Sequence, residues 1–151
     1  MHFKIFKKIE LVYVHLSGEP NQHDIIALNA AMMTNPYFKP HFRGFVDGRD
    51  VRVRLTSQQM PEIHKEVSDI TPITGPWAHL SDDPRYIALT MEYIQASAHQ
   101  HPCRIVYSLK EAEDFLGIEN ISYYLDLPSK QEEVHTQYFP YSHQSNKVKQ
   151  A

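Results

Sequence analysis

The chain has one cysteine and five glycines among its 151 residues, and it contains no long apolar run. A single thiol, Cys103, cannot form a disulfide within the chain, which excludes a disulfide-stapled scaffold and favours a reducing compartment. Five glycines are few for a phosphate-cradling loop, and neither a P-loop nor a Gly-x-Gly-x-x-Gly motif occurs. Because no apolar stretch approaches the roughly 20 residues of a membrane-spanning helix, we expect no membrane insertion.

An excess of basic charge is also missing. The formal net charge is −3, so no global positive field gathers nucleic acid, and we expect no nucleic-acid partner. The length suits one domain, and the hydrophobic fraction of 42% is ordinary for a globular protein. Residues 1–8 are too short a segment, and too interrupted by lysine, for a signal peptide. These features together predict a cytoplasmic protein.

What is present is an alternation of strand-like and helix-like segments. Stretches rich in β-branched and aromatic residues predict strands at residues 3–6, 9–16, 42–46, 77–80 and 104–107. Capping residues mark four helix starts, at Asn21, Thr56, Asp83 and Ser108. The order β-β-α-β-α-β-α-β-α predicts an α/β fold. We expect a mixed, mainly parallel five-stranded sheet with about four helices, in which the opening hairpin supplies an antiparallel edge.

Two finer patterns bear on the candidate sites. Residues 47–50 predict a turn or bulge, after which apolar residues 51, 53 and 55 alternate with Arg52 and Arg54 as a half-buried extended segment. The third helix carries Ile87, Met91, Ile94 and Ala98 at steps of four, three and four. That spacing predicts the buried face of an amphipathic helix.

The C-terminal segment differs in composition from the rest. We divide the chain into an α/β domain, residues 1–117, and a C-terminal arm or tail, residues 118–151. The arm has no glycine and a polar end, yet it contains apolar residues such as Ile121, Tyr138 and Phe139. Three arrangements stay open: the arm packs on its own domain, it packs on a second copy in a homo-oligomer, or it frays beyond about Tyr141.

Four segments in this order are similar to those of a known family. They are LVYVHLSG at 11–18, RGFVDGRD at 43–50, DDPRY at 82–86 and SLKEAEDFLG at 108–117. Residues 9–117 thereby resemble the STAS-like family of small bacterial proteins, similar to anti-sigma-factor antagonists. The resemblance implies a sheet covered by helices and a role in protein–protein regulation. The same architecture is similar to that of the CRAL-TRIO lipid-binding proteins, which implies an alternative function.

The resemblance also points to the start of the second helix. In anti-sigma-factor antagonists a phosphorylated serine lies there, in an Asp-Ser-Ser-Gly-like sequence. The matching residues 55–58 are Leu-Thr-Ser-Gln, which keep a serine but lack the acidic residue and the glycine. Thr56 and Ser57 are therefore candidate phosphoacceptors, whose added charge would lie at a helix N-terminus. The other interpretation of the same residues is a plain helix cap.

Charged residues just before that helix form a second candidate. A partner surface, or a phosphate-binding surface, is predicted from the mixture of arginines and aspartates in this strip. An equally simple interpretation is the solvated face of a strand. The residues of this candidate are Asp47, Arg49, Asp50, Arg52 and Arg54.

Residues that suggest chemistry are sparse. His99, His101 and Cys103 lie close enough in sequence for metal ligands, but they also lie where a helix must end, and we predict no metal and no cofactor. Asp82 and Asp83 could pass for a catalytic carboxylate pair, yet they stand at a helix start, where such residues act as caps. We therefore predict a non-catalytic regulatory or protein-interaction domain. The alternative is a small-molecule or lipid carrier, for which an apolar pocket larger than about 300 Å³ is expected.

Overall fold

A computed structural model describes residues 1–97, 100–127 and 134–139 of the chain. Its elements alternate as the sequence predicts. The strands are β1 (His2–Phe6), β2 (Leu11–Gly18), β3 (Arg43–Val51), β4 (Trp77–Leu80), β5 (Cys103–Val106) and β6 (Val134–Tyr138). The helices are α1 (Gln22–Met33), α2 (Met60–Ser68), α3 (Pro84–Ser97), α4 (Leu109–Leu116) and α5 (Ile121–Leu125), and a 3₁₀ turn (Ser57–Gln59) leads directly into α2.

The strands form one mixed sheet in the order β5-β4-β3-β2-β1-β6. Strands β2, β3, β4 and β5 run parallel to one another, while β1 is antiparallel to both β2 and β6. The predicted α/β class and the mainly parallel sheet are therefore confirmed. The described residues contain six strands and five helices, one strand more than predicted.

The additional strand changes which element forms the antiparallel edge. The opening hairpin was expected to supply that edge, but β6 pairs along β1 from Phe6↔Val134 to His2↔Tyr138. Strand β1 therefore lies inside the sheet, and the prediction of its edge position is wrong. The physical reason is that an uncovered β1 would leave a row of unpaired backbone groups, which the C-terminal segment satisfies.

Strand β3 continues through the segment for which a turn or bulge was predicted. Its register with β2 runs from Leu11↔Arg43 to His15↔Asp47, and then resumes at Ser17↔Asp50. Strand β3 thus contains one residue more than β2 over this step, which is a bulge. The bulge re-aims the side chains that follow it, where the strand gives way to the 3₁₀ turn.

Strand side chains alternate between two buried clusters, one on each face of the sheet. On β2, Val12, Val14 and Leu16 belong to one cluster, while Leu11 and Tyr13 belong to the other. Helices α1, α2 and α3 cover the first face, and α4 and α5 cover the second. A mainly parallel sheet requires cover on both faces, because its strands are apolar on both sides.

The predicted helix caps are present. At the start of α1, the backbone N–H of Asn21 donates to the Asp24 carboxylate, and the backbone N–H of Asp24 donates to the Asn21 side-chain oxygen, each at 2.9 Å. The Asp83 carboxylate accepts from the backbone N–H of Tyr86 at 3.1 Å, and Gly117 ends α4 in the left-handed region at φ 65°. These contacts confirm the helix starts and the glycine stop that the sequence predicts.

The buried face of α3 is not the predicted one. Tyr86, Leu89 and Thr90 are buried, whereas Met91 is 49% exposed and Ile87 is only partly buried. Ala98 lies outside the described residues. The prediction was wrong because α3 carries two apolar rows, and the row with the larger aromatic side chains packs against the sheet.

The described part of the C-terminal segment packs on its own domain. Ile118 and Ile121 are buried in the second cluster, and the buried Lys4 side chain donates to the carbonyl oxygens of Leu125 at 2.7 Å and Leu127 at 3.1 Å. A lysine on the last carbonyls of a helix complements its dipole. The predicted fraying beyond Tyr141 concerns residues outside the described ranges.

Among the residues that the structure describes, no helix has both the length and the apolar character needed to cross a bilayer.

Candidate functional site

The charged strip lies where β3 ends and the chain crosses to α2. Val51 is buried, and Val53 and Leu55 are partly buried, whereas Arg52 and Arg54 are exposed. The predicted half-buried alternation is therefore present, although the regular strand stops at Val51. Alternation places the apolar side chains towards α2 and the guanidinium groups towards solvent.

Asp47 does not belong to the exposed surface. Its side chain is 5% exposed, and it pairs with Arg49 through two contacts, Nε to Oδ1 at 2.9 Å and a terminal nitrogen to Oδ2 at 2.7 Å. Burial acts to raise the pKa of Asp47, but the hydrogen bonds from Arg49 outweigh it and hold the pKa below its ordinary value. Asp47 therefore fixes Arg49 and is unavailable to a partner.

The other members of the strip are exposed but paired within the chain. Asp50 accepts from His15 at 2.8 Å, and Arg54 reaches a carboxylate oxygen of Glu19 at 2.6 Å. Arg52 lies 3.9 Å from the other oxygen of Glu19, and its side chain is 84% exposed. Two guanidinium groups thus share one carboxylate. Sequence reasoning missed Glu19, which lies 33 residues before Arg52 in the chain.

Thr56 and Ser57 lie at the helix start, as predicted. The Thr56 backbone N–H donates to Gln59 Oε1 at 2.9 Å, which is half of a capping box. The Ser57 hydroxyl donates to Glu92 Oε1 on α3 at 2.7 Å. A phosphate on Ser57 would face the Glu92 carboxylate, so that like-charge repulsion would replace a hydrogen bond. Glu92 is a further residue that sequence reasoning missed.

The Ser57–Glu92 contact brings the strip next to the apolar row of α3 that contains the exposed Met91. Met91 precedes Glu92, and Ile87 and Ile94 lie four and three residues from Met91, on the same side of the helix. We call the exposed residues Arg52, Arg54, Thr56, Ser57 and Met91 the β3–α3 surface. It combines an exposed apolar side chain with exposed guanidinium groups.

The residues with metal-binding character do not assemble a site. Cys103 Sγ lies 3.3 Å from His101 Nδ1, but no cluster of three or more His, Cys, Asp or Glu side chains able to hold a metal occurs among the residues described. His99 lies outside them. Burial raises the pKa of Cys103 to about 12, so the thiol stays protonated and is a poor ligand and nucleophile.

A cavity of about 140 Å³ lies between the sheet and helices α1, α2 and α3. Trp77 and Tyr86, which anchor the core, also line it, as do Val53 and Leu55 from the inner side of the strip. Its volume is below the roughly 300 Å³ expected of a pocket for a drug-sized or lipid ligand. The position of Val53 and Leu55 places the cavity directly beneath Arg52 and Arg54.

No protein-family model matches the chain, and no curated protein matches it.

Proposed function

We propose that this chain is a non-catalytic regulatory or protein-interaction domain of the STAS-like kind that acts in the cytoplasm. The four segments that resemble anti-sigma-factor antagonists support this proposal, as does the element order from β1 to α4. Its partner-binding region is the β3–α3 surface. The partner is another protein, and a second copy of this chain is one candidate.

The exposure of Met91 is the observation that carries the proposal. In a helix that buries Tyr86, Leu89 and Thr90, a methionine with 49% of its surface in water leaves apolar area uncovered. Single exposed apolar residues are ordinary, but here the partly buried Ile87 and Ile94 lie beside Met91 on the same helix side. Methionine is unbranched and adapts its shape to a partner, which suits it to an interface.

The neighbouring charges define the kind of partner surface that would fit. Interfaces commonly have an apolar centre and a polar rim. Met91 supplies the centre, and Arg52 and Arg54, which share the Glu19 carboxylate, supply exposed guanidinium groups in the rim. A complementary partner therefore presents an apolar side chain beside at least one carboxylate, which guanidinium groups bind in bidentate geometry.

The test is a quantitative affinity purification from the protein's own host with matched variants. We expect Met91→Asp and the double variant Arg52→Glu/Arg54→Glu to lose the same protein that the wild type enriches. Lys110→Glu is the matched control, because Lys110 is a similarly exposed cation on α4, on the opposite face. Equal enrichment by all variants would contradict the proposed surface.

Light scattering on the purified variants distinguishes the two kinds of partner. A wild-type dimer that Met91→Asp converts to a monomer identifies a second copy as the partner. Circular dichroism must show unchanged thermal unfolding for these variants, because all the substituted side chains are exposed and surface changes rarely cost more than about 0.5 kcal/mol.

A further inference from the structure

The cavity beneath the strip has an unusual wall. It is lined mainly by aliphatic side chains from the sheet and from α1 and α2, and none of its lining residues is Asp, Glu, Lys or Arg. A charged ligand would therefore meet no opposite charge there, and moving an ion into such a space is costly. Its occupant must be uncharged.

Neutral polar residues interrupt this wall on the sheet, on α3 and, through Asn29, on α1. His79 Nδ1 lies 3.3 Å from the Tyr86 hydroxyl oxygen, and both residues line the cavity, together with Thr90 and His101. Burial lowers the pKa of His79 to about 4, with a smaller contribution from His101, so the imidazole is neutral at physiological pH. The wall thus offers neutral hydrogen-bonding groups within a mainly apolar lining.

The Trp77 side chain adds a polar atom that needs a partner. Its Nε1–H is buried and has no hydrogen-bond partner among the described residues, and its residue lines the cavity. A buried donor without an acceptor destabilises the fold, so each such group in a native protein requires an explanation. A ligand that carries an acceptor would supply one.

The volume limits the size of the occupant. An apolar cavity of about 150 Å³ accepts benzene or xenon, so a cavity of about 140 Å³ holds one small ring or a short branched chain. A fatty acid or phospholipid is excluded by both its size and its charge. We infer that this cavity is a binding site for a small, uncharged, mainly apolar molecule that carries one hydrogen-bond acceptor.

This inference goes beyond the proposed partner surface and does not depend on it. The two occupy opposite sides of the same segment, since Val53 and Leu55 point to the cavity and Arg52 and Arg54 to solvent. Loss of partner binding in the surface variants would leave the cavity site untouched. Failure of ligand binding would likewise leave the partner surface untouched.

The experiment uses the full chain labelled with ¹⁵N and a pair of matched probes, cyclohexanone and cyclohexane. The two are alike in ring size, and only the ketone has an acceptor. Trp77 is the sole tryptophan, so its indole N–H gives a single assignable resonance. We expect a saturable downfield shift with cyclohexanone, and a dissociation constant between about 10 µM and 10 mM for so small a ligand. Cyclohexane should bind more weakly and without the downfield shift.

Two variants identify the place of binding. Val53→Phe adds a ring at a partly buried cavity-lining position, and it should abolish the saturable shift. Val134→Phe makes the same change at a partly buried position packed against the other face of the sheet, and it should bind as the wild type does. Both must retain the wild-type unfolding transition.

Three results would overturn the inference or a defined part of it. No saturable change in the wild type with either probe would show that the cavity is not a ligand site. An equal response in the two variants would place binding elsewhere. Equal affinity and equal shifts for ketone and alkane would remove the acceptor from the ligand description.

Discussion

The two faces of the sheet are built differently. The face under α4 and α5 is filled by a cluster that includes the fully buried Leu11, Phe45 and Ile121. The face under α1, α2 and α3 buries more residues, yet it contains the 140 Å³ cavity and neutral polar side chains such as His79. Close packing is the rule in protein interiors. The filled face therefore contributes mainly to stability, whereas the cavity on the other face leaves space that a ligand can occupy.

Removal of the C-terminal segment should have the largest effect, because the filled face depends on it. Truncation after Gly117 deletes the buried Ile118 and Ile121 and the carbonyls that hold Lys4. Each large buried aliphatic contributes about 2–5 kcal/mol, so we expect loss of cooperative unfolding by circular dichroism and aggregation on gel filtration.

The matched control for this truncation is a cut after Phe139. It keeps β6, α5 and every contact described above, and we expect it to unfold at the wild-type temperature. A stable, monomeric 1–117 fragment would show that the C-terminal segment is dispensable to the filled face.

A pair of glycine-to-alanine substitutions compares a packed position on the cavity face with an exposed helix end. A Cβ on Gly44 would clash with the Trp77 ring on the cavity face, so Gly44→Ala should lower the free energy of unfolding by about 3 kcal/mol. Gly117→Ala meets no atom within 4 Å, and its cost comes only from the positive φ, about 1 kcal/mol. Urea denaturation measures both. Equal losses of unfolding free energy would mean that the Trp77 ring can shift into the cavity to accept the added methyl group.

The buried histidine on the cavity face should make stability depend on pH. The unfolded chain protonates His79 near pH 6.5, whereas the folded protein does so only near pH 4. The unfolded state therefore binds more protons between these values, and the free energy of unfolding falls as the pH drops from about 6.5 to 4. We expect a loss on the order of 2 kcal/mol from His79.

Denaturation at several pH values in wild type and His79→Gln measures this contribution. The pKa of His2 is also lowered to about 4, chiefly by burial, and that of His101 is lowered as well. Some of the slope should therefore persist in His79→Gln, and His2→Gln should remove an additional part. An unchanged slope in His79→Gln would show that its imidazole is not held neutral by burial.

An added methyl group tests the packing difference directly. Val67 lines the cavity and Val106 is fully buried on the other face. We expect Val67→Ile to be neutral or to stabilise by up to about 1 kcal/mol, because the cavity receives the methyl group. Val106→Ile should destabilise by about 1 kcal/mol or more through overpacking. Thermal unfolding of the two variants decides, and the reverse order would contradict the assignment of the cavity to one face.

The smallest effect is expected at the surface. Ser57→Glu places a carboxylate beside Glu92 and loses a 2.7 Å hydrogen bond, while the helix N-terminus favours the new charge. These opposed terms should leave the unfolding free energy within about 0.5 kcal/mol of the wild type. The reference is Ser57→Ala, which removes the hydrogen bond without adding charge. A loss above 2 kcal/mol in Ser57→Glu alone would show that Glu92 tolerates no second anion.

The candidate site was predictable only in part. Exposure of Arg52 and Arg54 follows from alternation with valines, which is a local property. Burial of Asp47 does not follow, because it depends on neighbouring strands and on α3, whose Tyr86 ring lies against Gly48. The partners Glu19 and Glu92 come from distant parts of the chain. The spacing of the apolar row that contains Met91 predicts a buried face, although Met91 is exposed.

The sequence by itself determined the order of elements from β1 to α4, the helix caps at Asn21, Asp83 and Ser108, and the glycine stop at Gly117, since these depend on contacts within a few residues. Tertiary structure alone decided that β6 covers β1, that α3 turns its aromatic row inward, and that a cavity remains on one face. Backbone preferences and caps act locally, whereas pairing and packing depend on which segments meet. Several local patterns are compatible with more than one way of pairing and packing the segments. The arrangement that buries the most apolar area and satisfies the most hydrogen bonds over the whole fold is the one adopted.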